Sequence, residues 1–249
     1  MHMIFSTLSP KHHMALVGDI GYVKDDGFFH FLRKQLEVFR VVFLVLGNHE
    51  PYRSNWRETK SKIKSFETSL VQLRLEKTLG QFVLLDRTRY DISPTLSVLG
   101  CTLFSAVDHA QKGSVSFGLN DFYHISDWSV EAHQEAHRAD LDRLNREIDS
   151  ISRLEPDRKV VVLTHYCPLT SEEVVDPRHA DSKISSGFMT GLSSERCWKQ
   201  SVVKVWVFGH THFNCDFRDS VHEKRVVSNQ RGYYFSQAAG FDSTKTVEI

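Results

Sequence analysis

Apolar residues along this chain alternate between short continuous runs and segments with helical spacing. Residues 14–17 and 41–46 form runs rich in β-branched side chains, and each run ends in a turn that contains glycine. Such runs are typical of buried strands. Between the two runs, apolar residues recur at helical spacing at Phe28, Leu32, Leu36 and Phe39. The pattern therefore predicts a strand, a helix and a second strand, an arrangement that favours a parallel sheet.

The rest of the chain continues this pattern. Ser54 is predicted to cap one helix and Ser129 to cap a longer one, because a serine hydroxyl satisfies free N–H groups at a helix start. Further strands are predicted at residues 82–85, 96–104, 160–163, 202–208, 225–228 and 233–236. Residues 105–128 form a long polar segment with interleaved aromatics. Loops of this length are usually functional, so we expect a cover over a site.

Polar turns follow four of these strands. They read GDIGY at 18–22, GNHE at 47–50, THY at 164–166 and GHTH at 209–212. In open α/β sheets, ligands bind outside the carboxyl ends of the strands, so we expect these turns to converge. Together the turns offer carboxylate, amide and imidazole ligands without a thiolate, a set that suits a transition metal. The pattern predicts a metal-dependent hydrolase site.

Each turn alone also has an ordinary structural explanation. Asp19 is a common turn or cap residue, and Asn48 tolerates the left-handed backbone of tight turns. A lone histidine such as His165 is usually a satisfied structural residue. The occurrence of all four turns in this order, each at the end of a strand, favours the metal site.

Composition limits the remaining possibilities. A chain of 249 residues that is 41% hydrophobic fits one large domain over residues 1–249. Lys and Arg together number 31, as do Asp and Glu, so no net positive charge attracts a nucleic acid and a small substrate is favoured. The four cysteines form no CxxC pair, which favours reduced thiols in the cytoplasm. No signal peptide and no apolar run of roughly 20 residues is evident, so no membrane association is expected.

The order GDxG, GNHE, a lone histidine after a strand and GHTH resembles the calcineurin-like metallophosphoesterases, and the match spans residues 14–213. The resemblance implies a two-sheet α/β/β/α sandwich with a pair of divalent metal ions, such as Mn, Fe, Zn or Ni, between the strand-end loops. The metal ligands that it implies are Asp19, Asn48, His165, His210 and His212. Asp19 would bridge the two ions, and His212 would bind the ion that the other three do not.

The resemblance also implies hydrolysis of a phosphoester bond in a small substrate. A metal-activated hydroxide would attack phosphorus in line while the ions neutralise the phosphoryl oxygens. His49 would contact the phosphoryl group and assist the leaving oxygen. The turn after Gly18 lacks the Asp-Arg pair of protein Ser/Thr phosphatases, and the matched residues fit a phosphomonoester and a phosphodiester equally.

One motif of the family is absent. No Asp-x-His pair, which would give the second ion two ligands, precedes Gly18. Residues 7–13 are too few for the crossover of about a dozen residues that would make residues 1–6 a parallel first strand. We therefore expect an N-terminally shortened domain that lacks its first strand and has a sheet edge in need of cover.

This absence leaves the second ion with Asp19 and His212 alone, so one ion instead of two is an open possibility. His12 and His13 precede their strand and lie at its wrong end to replace the missing ligands. The alternative function is therefore a catalytically impaired metal-binding pseudoenzyme or an interaction module.

Three weaker features complete the sequence picture. His133 and His137 have a spacing that can bind zinc, but HQEAH lacks the glutamate position of HExxH, so a packed helix face is favoured. The run NDFY at 120–123 either shapes a substrate pocket or pins the long loop to the core. Arg53 and Arg231 are candidate phosphate clamps, although surface arginines are the commoner case.

Overall fold

The computed structural model describes residues 3–5 and 12–249. The α-helices are α1 (Asp26–Val38), α2 (Trp56–Glu76), α3 (Lys112–Gly118), α4 (Asp121–His124), α5 (Val130–Leu154) and α6 (Arg196–Lys199). The strands are β1 (Met3–Phe5), β2 (His13–Val17), β3 (Val41–Val45), β4 (Gln81–Leu84), β5 (Thr88–Ser93), β6 (Leu96–Cys101), β7 (Lys159–Thr164), β8 (Val203–Phe208), β9 (Cys215–Arg218), β10 (Arg225–Ser228), β11 (Gly232–Tyr233), β12 (Ser236–Gln237) and β13 (Thr246–Val247). None of the described helices combines the length and apolarity needed to cross a bilayer.

The long strands form two mixed sheets. One sheet has five strands in the order β13-β1-β2-β3-β4, and the other has six in the order β5-β6-β7-β8-β10-β9. Within them, β2, β3 and β4 run parallel, as do β6, β7, β8 and β10. The predicted unit of strand, helix and parallel strand is confirmed as β2, α1 and β3.

The sheets and helices stack in four layers. Ala15, Val17 and Phe43 of the five-stranded sheet are buried against Val161 and Val207 of the six-stranded sheet. The outer face of the five-stranded sheet packs on α1 and α2, whose apolar stripes are buried there. The outer face of the six-stranded sheet packs on α5 and α6. The architecture is the predicted α/β/β/α sandwich.

The side of β2 that faces away from β3 is covered in an unexpected way. Among the described residues no parallel strand precedes β2, as the missing first strand implied. Instead β1 pairs with β2 in antiparallel register, with Ile4 opposite Met14. On the other side of β1, β13 pairs parallel, with Ile4 opposite Thr246. Two short strands from distant parts of the chain thus cover the edge that would otherwise be open to another chain.

Three local predictions were wrong. Asn55, not Ser54, caps α2, since its side chain accepts the Glu58 N–H. The strand predicted at 96–104 ends at Cys101, because Leu103 and Phe104 have positive φ angles of 73° and 50°. The strand predicted at 233–236 is instead the hairpin of β11 and β12. By contrast, Ser129 does cap α5 through the Ala132 N–H.

Candidate metal centre

Four polar side chains meet where β2, β3, β7 and β8 end. Potential ligand atoms of Asp19, His165 and His210 all lie within 4.8 Å of one another. The Asn48 Oδ1 atom is 2.9 Å from His165 Nε2, which in turn is 3.4 Å from Asp19 Oδ1. We call these four residues the inner cluster. The predicted convergence of the turns is confirmed, whereas the role of each residue as a metal ligand stays a prediction.

Close approach of the backbone makes this convergence possible. A Cβ atom on Gly18, whose φ is 88°, would lie 2.3 Å from His165 Nδ1. A Cβ on Gly47 would lie 2.3 Å from Asp19 Oδ1. Asp19 and His210 themselves have positive φ angles of 55° and 70°, a conformation that is strained for a residue with a side chain. The two glycines therefore leave the space that the inner cluster occupies.

Glu50 joins two of the turns. Its buried carboxylate accepts the N–H groups of Asp19 at 3.0 Å, Ile20 at 2.7 Å and Gly47 at 2.7 Å. Burial raises the pKa of Glu50, and the negative charge of Asp19 raises it further. The sequence pattern placed Glu50 within GNHE but assigned no role to it. The usable signal was an acidic side chain in a turn whose several N–H groups need an acceptor.

Asp121 orients Asn48 from the far side. Its Oδ1 accepts hydrogen bonds from Asn48 Nδ2 and from the Tyr52 hydroxyl, each at 2.7 Å. Its Oδ2 accepts from the Tyr166 hydroxyl at 3.2 Å. Because the Asn48 amide nitrogen is committed to Asp121, the Asn48 oxygen faces His165. The run NDFY therefore pins the long loop to the site through Asp121, which sequence reasoning did not foresee as a partner of Asn48.

The histidines of the inner cluster are oriented to accept a cation. His165 Nδ1 lies 2.8 Å from the Val17 carbonyl oxygen, which can only accept, so Nδ1 carries the proton. In the neutral ring, Nε2 then presents a lone pair toward two oxygens, Asn48 Oδ1 and Asp19 Oδ1. His210 Nε2 is buried and has no hydrogen-bond partner among the described residues. A cation between these atoms would satisfy both nitrogens, so the donor set fits a divalent metal ion.

The charges of the cluster agree with this fit. Burial lowers the pKa of His210 well below 6.5, and the neighbouring His165 lowers it further. Burial alone would raise the pKa of Asp19, but His165, His49 and His210 outweigh it and hold that pKa at about 2. Metal ligands must be deprotonated. At neutral pH, Asp19 is therefore an anion and His210 a neutral ring, as metal binding requires.

Three further side chains form what we call the outer group: His49, His212 and Tyr233. The ring of His49 stacks on Tyr52 with centroids 4.6 Å apart, and its backbone N–H donates to Asp19 Oδ1 at 3.0 Å. Tyr233 contacts both histidines of the group, with centroids 6.1 Å from His49 and 4.6 Å from His212. Burial lowers the pKa of His212.

A sequence model of the calcineurin-like phosphoesterase family matches residues 3–214. The chain belongs to this family. It is a metal-dependent phosphoesterase, and family membership implies divalent metal ions in its site.

The chain is also similar to individual proteins in sequence or in structure. An uncharacterised protein of Acanthamoeba polyphaga mimivirus is 27% identical over 231 residues, which cover 89% of this chain and 79% of that protein. The phosphopantetheinyl hydrolase of Mycobacterium tuberculosis has a similar structure, with a TM-score of 0.62 and 14% identity over 88% of this chain and 79% of that one. A dimetal phosphatase from Danio rerio superposes with a TM-score of 0.46 at 14% identity, over 86% of this chain and 70% of that one.

The ligands predicted for a second ion of this phosphoesterase are Asp19 and His212. No other described His, Cys, Asp or Glu joins Asp19, His165 and His210 in a group that could hold a metal. His13 is the first residue of β2, at the end opposite Asp19, and His12 precedes it. Neither histidine therefore lies among the turns of the inner cluster, and the ligand set of a second ion stays a prediction.

The histidine pair of α5 packs against the backbone that follows β6. His133 Nε2 accepts the Ser105 N–H at 3.0 Å, and His137 Nδ1 donates to the Leu103 carbonyl at 2.8 Å. Asp140, on the same helix face, accepts the Leu103 N–H at 2.7 Å. The predicted packed helix face is confirmed: three polar side chains hold the strained backbone that follows β6.

A cavity of about 330 Å³ opens over the inner cluster and the outer group. Neither Arg53 nor Arg231 lines it. The Arg53 guanidinium lies over the Tyr22 ring, 5.5 Å from the centroid, and Arg231 is exposed. The structure gives no support to either as a phosphate clamp.

Proposed function

We propose that this phosphoesterase hydrolyses a small phosphorylated substrate, a monoester or a diester, at the inner cluster. The observation that carries the proposal is the meeting of Asp19, His165 and His210 within 4.8 Å at the base of a cavity. Hydrolysis breaks the bond between phosphorus and the ester oxygen. The oxygen of water joins phosphorus, and the leaving alcohol gains a proton.

The inner cluster would hold one divalent ion. The ligands would be the Asp19 carboxylate, the imidazole nitrogens of His165 and His210, and the Asn48 amide oxygen. Nitrogen and oxygen ligands of this kind suit Mn, Fe, Zn or Ni. When bound, the ion neutralises phosphoryl charge and brings the pKa of a water toward about 7. Asp19 supplies the negative charge of the cluster and Glu50 keeps its turn in place. We propose that Asp19 and His212 are the ligands available to a second ion.

His49 is the proposed catalytic side chain. Its backbone is anchored to Asp19, and its ring lines the cavity between Tyr52 and Tyr233. This position supports a hydrogen bond from the imidazole to a phosphoryl oxygen or to the leaving oxygen, whose proton it would supply. General acid catalysis of this kind contributes about 100-fold to 10,000-fold to a rate.

The shortage of ligands at the second ion favours one alternative. In it, the chain binds a single ion and serves as a catalytically impaired metal-binding or interaction module.

Metal analysis combined with hydrolysis of two generic substrates separates the two functions. The protein loaded with Mn²⁺ is assayed with p-nitrophenyl phosphate and bis(p-nitrophenyl) phosphate, beside His49→Gln and His210→Ala. His30→Ala, an exposed histidine on α1, is the matched control. Turnover far above both site variants supports the hydrolase. Turnover equal to theirs, with at most one ion per chain, supports the alternative.

The nature of the substrate and the compartment are also proposals. A chain with equal numbers of acidic and basic residues supports a small substrate over a nucleic acid. Free thiols at Cys101, Cys167, Cys197 and Cys215 support a cytoplasmic location.

A further inference from the structure

The cavity above the inner cluster has two unlike walls. One wall carries the metal-ligand candidates and the outer group. The opposite wall is formed by the end of α3 and by residues 174–189, and its apolar side chains are Leu119, Val174, Val175, Ile184, Phe188 and Met189. No lysine or arginine is among the described residues that line the cavity.

The apolar wall begins directly at the metal-ligand candidates. The Phe188 ring stacks on His210, with centroids 4.8 Å apart and an interplanar angle of 24°. Val175, Ile184 and Met189 are half-buried, so part of each side chain remains open to the cavity. A substrate whose phosphoryl group lies at the inner cluster would therefore place the adjoining group against hydrocarbon.

The wall is also held in place. The Ser186 N–H donates to Gln111 Oε1 at 2.9 Å, and the Gly187 and Phe188 N–H groups close turns onto Ile184 and Ser185. Ile184 and Phe188 pack against a buried apolar cluster that includes Leu119. A preformed wall costs little ordering when a ligand binds, which favours affinity for a ligand of matching character.

Charge excludes the main competing class of substrate. Nucleotide polyphosphates and other polyanions need cationic side chains beyond the reacting phosphoryl group, usually arginine forks. Among the described residues the lining offers no lysine or arginine, and the ionisable side chains on the apolar wall are Asp176 and His179. With about 330 Å³, the cavity is at the small end of the roughly 300–1,000 Å³ range of ligand pockets.

We infer that the wall of Leu119, Val174, Val175, Ile184, Phe188 and Met189 is the leaving-group site, and that the substrate is a phosphoester of a small, uncharged, apolar alcohol or phenol. The inference rests on the proposed function. Hydrolysis would release a neutral apolar alcohol into the pocket, while the phosphate product stays at the inner cluster.

The test compares two esters of equal length and similar reactivity, n-pentyl phosphate and 4-carboxybutyl phosphate, each as the monoester and as its methyl diester. The Mn²⁺-loaded protein should hydrolyse whichever pentyl form it accepts with a kcat/KM at least about 10-fold higher than the matching carboxylate form, because the apolar wall would have to desolvate the terminal carboxylate. Equal values would overturn the leaving-group site and leave the hydrolase intact.

Binding gives an independent readout. Calorimetry with n-pentylphosphonate and 4-carboxybutylphosphonate, which are not hydrolysed, should show at least about 10-fold tighter binding of the pentyl compound. If neither ester is hydrolysed but this preference in binding persists, the wall stands as an apolar binding site and the proposed hydrolysis fails. Equal binding of the two phosphonates would overturn the site.

A charge reversal localises the preference to the wall. Ile184→Lys should lower the preference for the pentyl compounds at least about 10-fold, since the ammonium would attract the carboxylate. Leu154→Lys adds the same charge at a position that is 70% exposed, and it should keep the wild-type preference. Val175→Lys replaces Ile184→Lys if that variant does not fold. An unchanged preference in a folded wall variant would contradict the assignment.

Discussion

The inner cluster and the outer group share one short turn but have different surroundings. His210 is buried beneath Phe188 and Tyr166, whereas His212, two positions later, is half-buried beside the exposed Tyr233. Behind the inner cluster, separate buried groups fix two of the four ligand candidates: Asp121 fixes Asn48 and the Val17 carbonyl fixes His165. The outer group is held mainly by ring contacts. We therefore expect metal affinity to reside in the inner cluster and the outer group to contribute to turnover.

Substitution of the two histidines of GHTH is the most direct test of the difference between the inner cluster and the outer group. His210→Ala should lower the affinity for Mn²⁺ by more than about 100-fold. Loss of a residue that only orients a metal ligand costs about 10-fold to 100-fold in affinity, and loss of the ligand itself should cost more. His212→Ala should lower the affinity for the first ion by less than about 10-fold. Competition with a fluorescent chelator measures both. Equal losses would mean that the two histidines serve the same ion.

Asp121 tests whether the support behind the cluster matters. Asp121→Leu leaves the Asn48 amide without its acceptor and free to rotate, so the affinity for Mn²⁺ should fall by about 10-fold to 100-fold. The same chelator titration applies. Asp142→Asn, an exposed aspartate on α5, is the control and should bind as the wild type does. An unaltered affinity in a folded Asp121→Leu protein would show that Asn48 needs no such support.

Two glycine-to-alanine substitutions compare the tightly packed inner cluster with an open position on the surface. Gly47→Ala should lower the free energy of unfolding by about 2 kcal/mol, because its Cβ would overlap Asp19 and overpacking costs about 1–3 kcal/mol. Gly113→Ala in α3 meets nothing within 4 Å and should raise it by about 0.5–1 kcal/mol. Urea denaturation of the metal-free proteins measures both. Equal and small changes would show that the cluster has room to relax.

The helix face beneath the inner cluster should add a small pH dependence. Burial lowers the pKa of His133 to about 3 from 6.5, so below pH 6.5 the unfolded chain binds a proton that the folded chain does not. Stability from this residue is fully present above pH 6.5 and is lost as the pH falls toward 3, by about 1 kcal/mol at pH 5.5. His133→Gln keeps an acceptor for Ser105 and should flatten the curve in thermal melts. Parallel curves for the two proteins would contradict this role.

The part of the site that is local in sequence could be predicted, and the part that depends on distant contacts could not. Asp19, Asn48, His165 and His210 each follow a buried apolar run, so parallel strands bring them to one edge. Asp121 is 73 residues from Asn48, and no pattern near it specifies that partner. The apolar wall was missed for the same reason, since residues 174–189 contain only short turns without periodicity.

The predicted start of a helix was wrong where two neighbouring residues could both act as its cap. Ser54 and Asn55 are both good caps, and the backbone gives that place to Asn55 while Ser54 donates to Glu58. β5 was missed although Tyr90 and Ile92 alternate with polar residues and pack on the core, because two apolar positions are too short a pattern to identify a strand. β13 is recognisable only through its pairing with β1.

The pairing of β1 with β13 also bears on the order in which the chain folds. These strands join segments from opposite ends of the described chain, so the five-stranded sheet can complete its edge only after residue 247 has left the ribosome. Contacts of such long sequence separation are slow to form because the loop between them must be closed first. During synthesis, β1 would therefore expose an unpaired edge, and chaperones that protect strand edges should matter most at that stage.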